Sequence, residues 1–443
     1  MLDVSKAMQG VFITTYGCQM NVNDSERMFS LLEMQNYEEV KKPDQADLII
    51  INSCSVREKP VHKVHSEVGR YRELKKENPS LIIGVGGCVG QQEKKKLLAD
   101  IPLLDFVFGP DNIDNLPNLI SEVRQKDDRI AKAKFDYQSP YQVETLVRNP
   151  GVSTFVNITK GCDNFCTFCV VPFTRGRERS RALKDLIGDV QTLVKRGVKE
   201  VTLLGQNVNS YTSECGANFA QLMKAVAEDT DVERIRFTTS HPKDFDQELC
   251  DVLQAHREKL CDYIHLPVQS GSSLVLDRMN RRYTREHYLE KIQMIKETIP
   301  DVSLSTDIIV GFPGETDQDF EDTMSIVHEV AYETIFAFKY SPRPFTKAAR
   351  FEDQVDEKIK SERLTRLFAE HRDLAFELVK KYNGMTLDVL VEAVDRKDPT
   401  RVFGRSSQNK LVHFTGSEEL IGSTVPIKID KVAPINFSGV MVN

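Results

Sequence analysis

Apolar, β-rich runs alternate with charged segments of helical length from the start of the chain: GVFITTYGC, NDSERMFSLLEMQNY, ADLIIINSC, a stretch to Asn78, SLIIGVGGC and GQQEKKKLLAD. Strands that read as near-continuous hydrophobic runs between amphipathic helices predict an N-terminal doubly wound α/β domain with a parallel sheet, over residues 1–123. A charged, Pro-containing stretch, 124–151, has weak periodicity and reads as a linker. A second αβ array occupies 152–382. Its strand candidates are STFVNITKG, EVTLLGQN, RIRFTTSH, YIHLPVQSG, LSTDIIVGFPG and TIFAFKYSPRP. Six such units are fewer than the eight of a closed barrel, so a partial (β/α)6 barrel is the economical expectation. The segment DQVDEKIKSERLTRLFAEHRDLAFELVKKYNG has helical spacing and is expected to stop at Gly384 as C-cap. Beyond it the pattern changes to short strands only, TLDVLVEAV, RVFGRSS, KLVHFT, TVPIKIDKV and FSGVMV, which predicts a small antiparallel β-barrel over 383–443.

Composition narrows the class. The 443 residues are 28% charged and 40% hydrophobic, a globular composition for a chain long enough for two or three domains. The formal charge of -7 excludes a protein that is basic all over, so a nucleic-acid partner has to be held by local patches. The chain has no apolar run of transmembrane length, and MLDVSKAMQGVFITTYGC lacks the features of a signal peptide, so a cytoplasmic protein without a membrane partner is expected. In a reducing compartment its nine cysteines read as metal ligands or buried thiols, not as disulfides.

Two groups of three cysteines carry the chemistry. Residues 161–169, GCDNFCTFC, place Cys162, Cys166 and Cys169 directly after the first barrel strand, on the face where barrel chemistry sits. Such a loop bends around one cluster, and thiolates suit iron and sulfide. Zinc would take a fourth Cys or His at similar short spacing, yet the next cysteine, Cys215, is 46 residues on with no histidine between. Cys18, Cys54 and Cys88 end three strands of the first domain. Parallel strands put their C-terminal ends on one sheet edge, so cysteines 36 and 34 residues apart are expected to converge. Cys215, Cys250 and Cys261 share no spacing and read as small apolar or incidental thiols.

The loop resembles that of the radical S-adenosylmethionine (SAM) enzymes, C-x3-C-x-aromatic-C, with Phe168 in the aromatic slot. The resemblance implies a four-iron cluster on Cys162, Cys166 and Cys169 with one iron open to SAM, and reductive formation of a 5′-deoxyadenosyl radical. It further implies SAM contacts near Leu204, Gly205 and Gln206 in LLGQN, and an adenine-contacting segment around Ile309 to Gly311 in STDIIVGFPGET. With Cys18, Cys54 and Cys88 as ligands of a second open cluster, the chain is similar to the radical SAM methylthiotransferases, which use two [4Fe-4S] clusters and two SAM. TYGCQMN, INSCSVREK, TKGCDNFCTFCVVPFTRGRERSR and HLPVQSGS look most like the MiaB branch. That branch adds a methylthio group at C2 of N6-dimethylallyladenosine (isopentenyladenosine), 3′ of the anticodon in tRNA. The end barrel looks like the TRAM module, a small RNA-binding barrel. Partners implied are the tRNA anticodon stem-loop, SAM and a flavodoxin- or ferredoxin-type reductant, with the protein a monomer. PRPFTKAA departs from the pattern, having Phe345 and Lys347 where Gly and Pro are expected.

Basic residues recur in the loops of the expected catalytic face: Arg175, Arg177, Arg179 and Arg181, then Arg278, Arg281, Arg282 and Arg285, then Arg343 and Lys347. Such clusters grip phosphate backbones, although each residue singly suits a solvated surface equally well. In the end barrel acidic and basic residues balance, so its charge is silent on RNA. Asp307 and His241 are placed at strand ends without a catalytic role. Alternatives are methylthiolation of threonylcarbamoyl-adenosine or of a ribosomal-protein aspartate, or a non-enzymatic two-cluster protein that binds RNA or carries electrons.

Overall fold

Successive residues of one strand feed opposite apolar layers. Leu48 and Ile50 join a buried cluster with Met28, Leu32 and Leu119, whereas Ile49 and Ile51 join another with Val64, Val68 and Leu97. Such alternation belongs to a strand with helices on both its faces. The computed structural model describes residues 8–55, 60–126, 128–137, 141, 145 and 147–442. By internal contacts the chain forms two units: Met1–Asn149 with Lys160–Asp163 and Val170–Arg179, and Pro150–Thr159 with Asn164–Cys169 and Ser180–Asn443.

The first unit is built on β1 (Gln9–Tyr16), β2 (Tyr37–Glu39), β3 (Leu48–Ser53), β4 (Ile82–Gly86), β5 (Phe106–Phe108) and β6 (Ile130–Lys132). They lie in the order β2-β1-β3-β4-β5-β6 and every pair is parallel. The order reverses between β1 and β3, and crevices outside the carboxyl ends of strands at such a switch point are where open sheets bind ligands. Between the strands run α1 (Gln19–Glu33), α2 (Pro60–Arg70), α3 (Arg72–Glu77), α4 (Gly87–Glu93), α5 (Lys95–Asp100) and α6 (Leu116–Lys126). The doubly wound domain is thus present, with three short strands beyond those read from the pattern. The stretch 124–151, read as a linker, carries the last turn of α6 and then β6, which pairs with β5. Residues 127, 138–140, 142–144 and 146 of that stretch lie outside the described residues, as do 56–59 of the INSCSVREK motif.

Around the cysteine loop lie the short elements β7 (Ser153–Asn157), β8 (Thr159–Lys160), α7 (Val171–Thr174) and β9 (Arg179–Ser180). The second unit continues through α8 (Leu183–Lys195), β10 (Glu200–Leu204), α9 (Phe219–Asp229), β11 (Arg234–Phe237), α10 (Gln247–Ala255) and β12 (Tyr263–His265). There follow α11 (Ser273–Arg278), α12 (Arg285–Thr298), β13 (Ser303–Val310), α13 (Asp317–Val330), β14 (Thr334–Lys339) and α14 (Glu357–Val379). Two parallel three-stranded sheets, β11-β10-β7 and β12-β13-β14, meet where the Ile235 amide donates to Lys259 O and the Cys261 amide to Ile235 O. Six strands therefore follow one another in chain order, as the αβ alternation predicted. α14 ends at Val379, before the expected cap. A 3-10 turn, Lys380–Tyr382, intervenes before Gly384 turns the chain at φ 81°.

The last five strands, β15 (Thr386–Val394), β16 (Arg401–Ser406), β17 (Leu411–Thr415), β18 (Thr424–Lys431) and β19 (Asn436–Met441), close a barrel in the order β15-β16-β17-β19-β18. Its core holds Val389, Val391, Val402, Val412, Phe414, Ile427 and Phe437. One ladder departs from the antiparallel expectation: β17 and β19 run parallel, because the chain crosses β18 before returning. Among the described residues no helix is long and apolar enough to cross a membrane.

Candidate metal and cofactor site

Cys18 caps α1 after β1, Cys54 follows β3, and Cys88 sits in the first turn of α4 after β4. The parallel register of these strands brings the three thiols together: Cys54 shares hydrogen bonds with both Cys18 and Cys88. Cys54 and Cys88 are buried while Cys18 is exposed. The hydrogen bonds with Cys54 pull Cys18 and Cys88 well below the usual thiol range and push Cys54 up. Burial opposes ionisation, and the Arg175 guanidinium favours it at both flanking thiols.

A polar frame holds this corner. Cys18 Sγ lies 3.5 Å from Asn21 Oδ1, Asn21 Nδ2 donates to Asn52 Oδ1, and Asn52 Nδ2 donates back to Asn21 O and to Ser25 Oγ. Gly87 has φ 82°, and a Cβ there would meet Asn52 Oδ1 at 2.3 Å, so this turn accepts only glycine. Arg175, only 3% exposed, donates from Nη2 to Asp24 Oδ2 at 2.6 Å. Asn21, Asp24, Asn52 and Arg175 were not read as site residues from sequence. The sequence puts Arg175 among phosphate-gripping residues, a role its burial and its pairing with Asp24 contradict.

The second cysteine group lies in a loop through which the division between the units passes: Cys162 groups with the first, Cys166 and Cys169 with the second. The Cys162 amide donates to Gly176 O at 3.2 Å. In the second unit the Cys169 amide donates to Cys166 O at 3.0 Å and closes a tight turn. The turn is pinned by the chain after α11. The Thr167 amide donates to Met279 O and its hydroxyl to Arg278 O, Asn280 Nδ2 donates to the carbonyls of Asn164 and Phe165, and the Ala348 amide donates to Thr167 O. Buried Arg281 donates from Nη1 to Cys166 Sγ at 3.4 Å, from Nε to Tyr283 Oη and from Nη2 to Pro267 O. Like Arg175, this arginine serves a cysteine and not a surface. Arg181 is buried against Asp189, while Arg278 pairs with Asp353 and Arg285 with Glu329.

Phe168 and Ile309 pack against one apolar cluster of Val275, Met279, Phe312, Tyr340 and Ala348, with the Phe168 and Phe312 rings edge to face at 6.5 Å. The structure thus joins the aromatic of the cysteine loop to the end of β13. Gly311 follows at φ 69°, its amide donating to Glu315 Oε1, which also accepts from Arg363. Burial pushes Glu315 up to about 7 in spite of these two donors. Leu204 is buried at the end of β10 and accepts from the Ile158 amide, and a Cβ on Gly205 would meet Thr159 Oγ1 at 2.1 Å. Gln206 follows in the loop after β10. Asp307 is mid-strand on β13, not at a strand end. His241, buried against the Tyr283 ring with no hydrogen-bond partner for Nε2 among the described residues, is held well below the ordinary histidine range by burial and by Arg281.

Among the described residues no group of three or more His, Cys, Asp or Glu side chains is arranged to hold a single metal ion. Thiols that each bind a separate iron of one cluster need not converge on a point, and sulfur donors beside a buried guanidinium fit an anionic iron–sulfur group. Three family models match the chain: the uncharacterized protein family UPF0004 over residues 10–109, the radical SAM superfamily over 156–327, and the TRAM domain over 380–438. Relatives named tRNA-2-methylthio-N(6)-dimethylallyladenosine synthase include one from Bdellovibrio bacteriovorus, 63% identical and covering 98% of this chain and 96% of its own. Others are from Myxococcus xanthus, 46% identical over 98% and 94% of the two chains, and Carboxydothermus hydrogenoformans, 44% identical over 98% and 100%. Among solved structures the fold is similar to the radical SAM methyltransferase TsrM from Kitasatospora setae, with TM-score 0.57, 13% identity and coverage of 86% and 80%. It is also similar to the cobalamin-dependent radical enzyme OxsB, with TM-score 0.53, 14% identity and coverage of 82% and 56%.

Proposed function

The chain belongs to the family of tRNA-2-methylthio-N(6)-dimethylallyladenosine synthases, and from that premise we propose how its cysteines divide the work. The enzyme is a radical SAM methylthiotransferase that adds a methylthio group at C2 of N6-dimethylallyladenosine in tRNA, with two [4Fe-4S] clusters and SAM as cofactors. Cys18, Cys54 and Cys88 hold one cluster, and Cys162, Cys166 and Cys169 hold the other with an iron left open to SAM. When bound, the open cluster with SAM would supply a radical that activates the C2–H bond, and the other cluster would present the sulfur that a second SAM methylates.

The residues of the chain prepare the positions. Arg175 favours negative charge on Cys18 and Cys88, and Arg281 holds Cys166 through a hydrogen bond to its sulfur. Phe168 and Ile309 wall one side of the SAM site, backbone at Leu204, Gly205 and Gln206 receives its amino group, and the turn from Ile309 to Gly311 borders its adenine. We place the protein in the cytoplasm as a monomer, reduced by a flavodoxin- or ferredoxin-type donor and recognising the anticodon stem-loop with the TRAM barrel's help. Of the domain limits read from sequence we keep 152–382 and 383–443, and because β6 pairs with β5 we extend the first domain from residue 123 to Lys132, which shortens the 124–151 connecting segment.

The observation that carries the two-cluster reading is the convergence of three thiols from the ends of β1, β3 and β4, across a topological switch point. Iron and sulfide counts on anaerobically prepared protein test it: a Cys18→Ala, Cys54→Ala, Cys88→Ala variant is expected to lose about half its iron. An unchanged count would mean that this group binds none. Mass spectrometry of tRNA nucleosides from cells lacking the gene tests the reaction, with loss of the 2-methylthio group and accumulation of N6-dimethylallyladenosine expected.

A further inference from the structure

The sheet β12-β13-β14 has one closed face and one open face. In register, His265 lies beside Ser305, Asp307 beside Phe336, and Ile309 beside Phe338. Partners across parallel strands share a face, so these side chains form one surface. On the other face Ile264, Leu304, Thr306, Ile308, Val310, Ile335 and Ala337 are all buried, and α14 packs on β13 and β14.

The open face is graded. At its lower end Tyr263 Oη accepts from Ser305 Oγ at 2.7 Å, Ser305 Oγ lies 2.9 Å from His265 Nδ1, and His265 Nε2 lies 3.6 Å from Asp307 Oδ1. That end is closed by the turn between β16 and β17: Arg236 donates to the carbonyls of Ser406 and Ser407, and Asp262 accepts from Ser407 Oγ and Gln408 Nε2. Above the polar floor stand two phenyl rings, Phe336 at 46% exposure and Phe338 at 57%. The Phe336 ring meets the edge of His265 at 5.8 Å. At the upper end Ile309 leads to the apolar cluster that Phe168 shares. Two exposed phenyls on one strand face, with a 34% exposed carboxylate between them and the floor, set apolar surface directly beside a hydrogen-bond acceptor.

We propose that this face receives the N6 substituent of the substrate adenosine: Phe336 and Phe338 pack its dimethylallyl group and Asp307 accepts the N6–H. The proposal rests on the functional reading above and adds to it a specificity site. N6-dimethylallyladenine presents one N–H donor beside a branched apolar group, and the wall offers one acceptor beside two apolar rings. The same carboxylate disfavours an N6 substituent that itself carries a carboxylate, such as threonylcarbamoyl.

Equilibrium binding to three anticodon stem-loop RNAs tests it, with the holoprotein in saturating SAM. They differ at one base: N6-dimethylallyladenosine, N6-threonylcarbamoyl-adenosine or unmodified adenosine. The wild-type protein is expected to prefer the prenylated RNA over the unmodified one by about tenfold or more, the scale on which an apolar pocket discriminates. Phe336→Ser and Phe338→Ser each bring that ratio to within about threefold, and the milder Phe338→Leu reduces it in part if the serine variants fail to fold. Asp307→Asn, isosteric, narrows the gap between the prenylated and threonylcarbamoyl RNAs. An undiminished prenyl preference in the phenyl variants overturns the proposal. So does a loss of SAM affinity equal to the loss of RNA preference, which would assign the rings to SAM. Failure of the wild-type holoenzyme to methylthiolate the prenylated RNA would instead strike the functional reading itself.

Discussion

Arg175 shows how a single residue changes meaning once its neighbours are known. In sequence it is one of four arginines spaced along a loop, as a phosphate-binding patch would have them. In the fold it is buried with Asp24, 151 positions away, and faces Cys18 and Cys88. Breaking a buried ion pair by removing one partner leaves the other charge without compensation. Arg175→Met is therefore expected to destabilise the apoprotein by about 3–5 kcal/mol in urea unfolding, and adding Asp24→Asn should recover a large part of that loss. If the single and double variants unfold at the same urea concentration, the pair is not what holds this corner. The sequence singles out the six cysteines by the density of GCDNFCTFC and by the ends of three predicted strands. Arg175, Asp24, Asn21 and Asn52 are not singled out in this way, since nothing in local spacing distinguishes a buried, paired polar residue from a solvated one.

At the scale of elements, legibility followed length. The eight-residue β1 and the 23-residue α14 declare their periods. Strands of three residues such as β2, β5 and β6 contain too little pattern to be told from loop, and exist because neighbouring strands offer hydrogen-bonding edges. The end of β10 illustrates the converse case, in which one residue constrains two elements. Gly205 lies so close to Thr159 that any Cβ must displace the threonine hydroxyl. Gly205→Ala is expected to lower stability by about 1–3 kcal/mol through overpacking, and Thr159→Ala in the same chain should restore much of it, since the nearest remaining threonine atom lies at 3.4 Å. Thermal unfolding of the two variants decides. An equal loss in both would point to a backbone cost at Gly205 instead of the clash.

Across the second unit, the C-terminal barrel is attached through a buried carboxylate. Glu333, just before β14, accepts from Ser303 Oγ at 2.9 Å and from Tyr382 Oη at 3.1 Å, and pairs with Lys381 at 2.6 Å and Lys410 at 2.5 Å. It thereby ties together the starts of β13 and β14, the turn after α14 and the loop after β16. These partners keep Glu333 below the usual carboxylate range although burial opposes it. Glu333→Ala strands two lysines and a phenol and is expected to expose the junction near Lys380–Tyr382 to trypsin at least about tenfold faster, as local opening there becomes less costly. Cleavage at the wild-type rate would show that the apolar contacts of the junction suffice.

By itself the sequence determined what depends on near neighbours along the chain: the alternation of strands and helices, the change to short strands after Gly384, and the tight C-x3-C-x2-C turn. Those follow from backbone geometry, whose periods of 2.0 and 3.6 residues are imposed locally. Resemblance to a known family supplied the reaction. Tertiary structure alone decided which polar residues are buried partners and which face of β12-β13-β14 stays open. It also decided that Phe336 and Phe338, unremarkable in TIFAFKYSPRP, stand exposed beside Asp307. Burial and pairing are set by contacts between residues far apart in sequence, and a one-residue change of strand register would have turned both rings to the covered face.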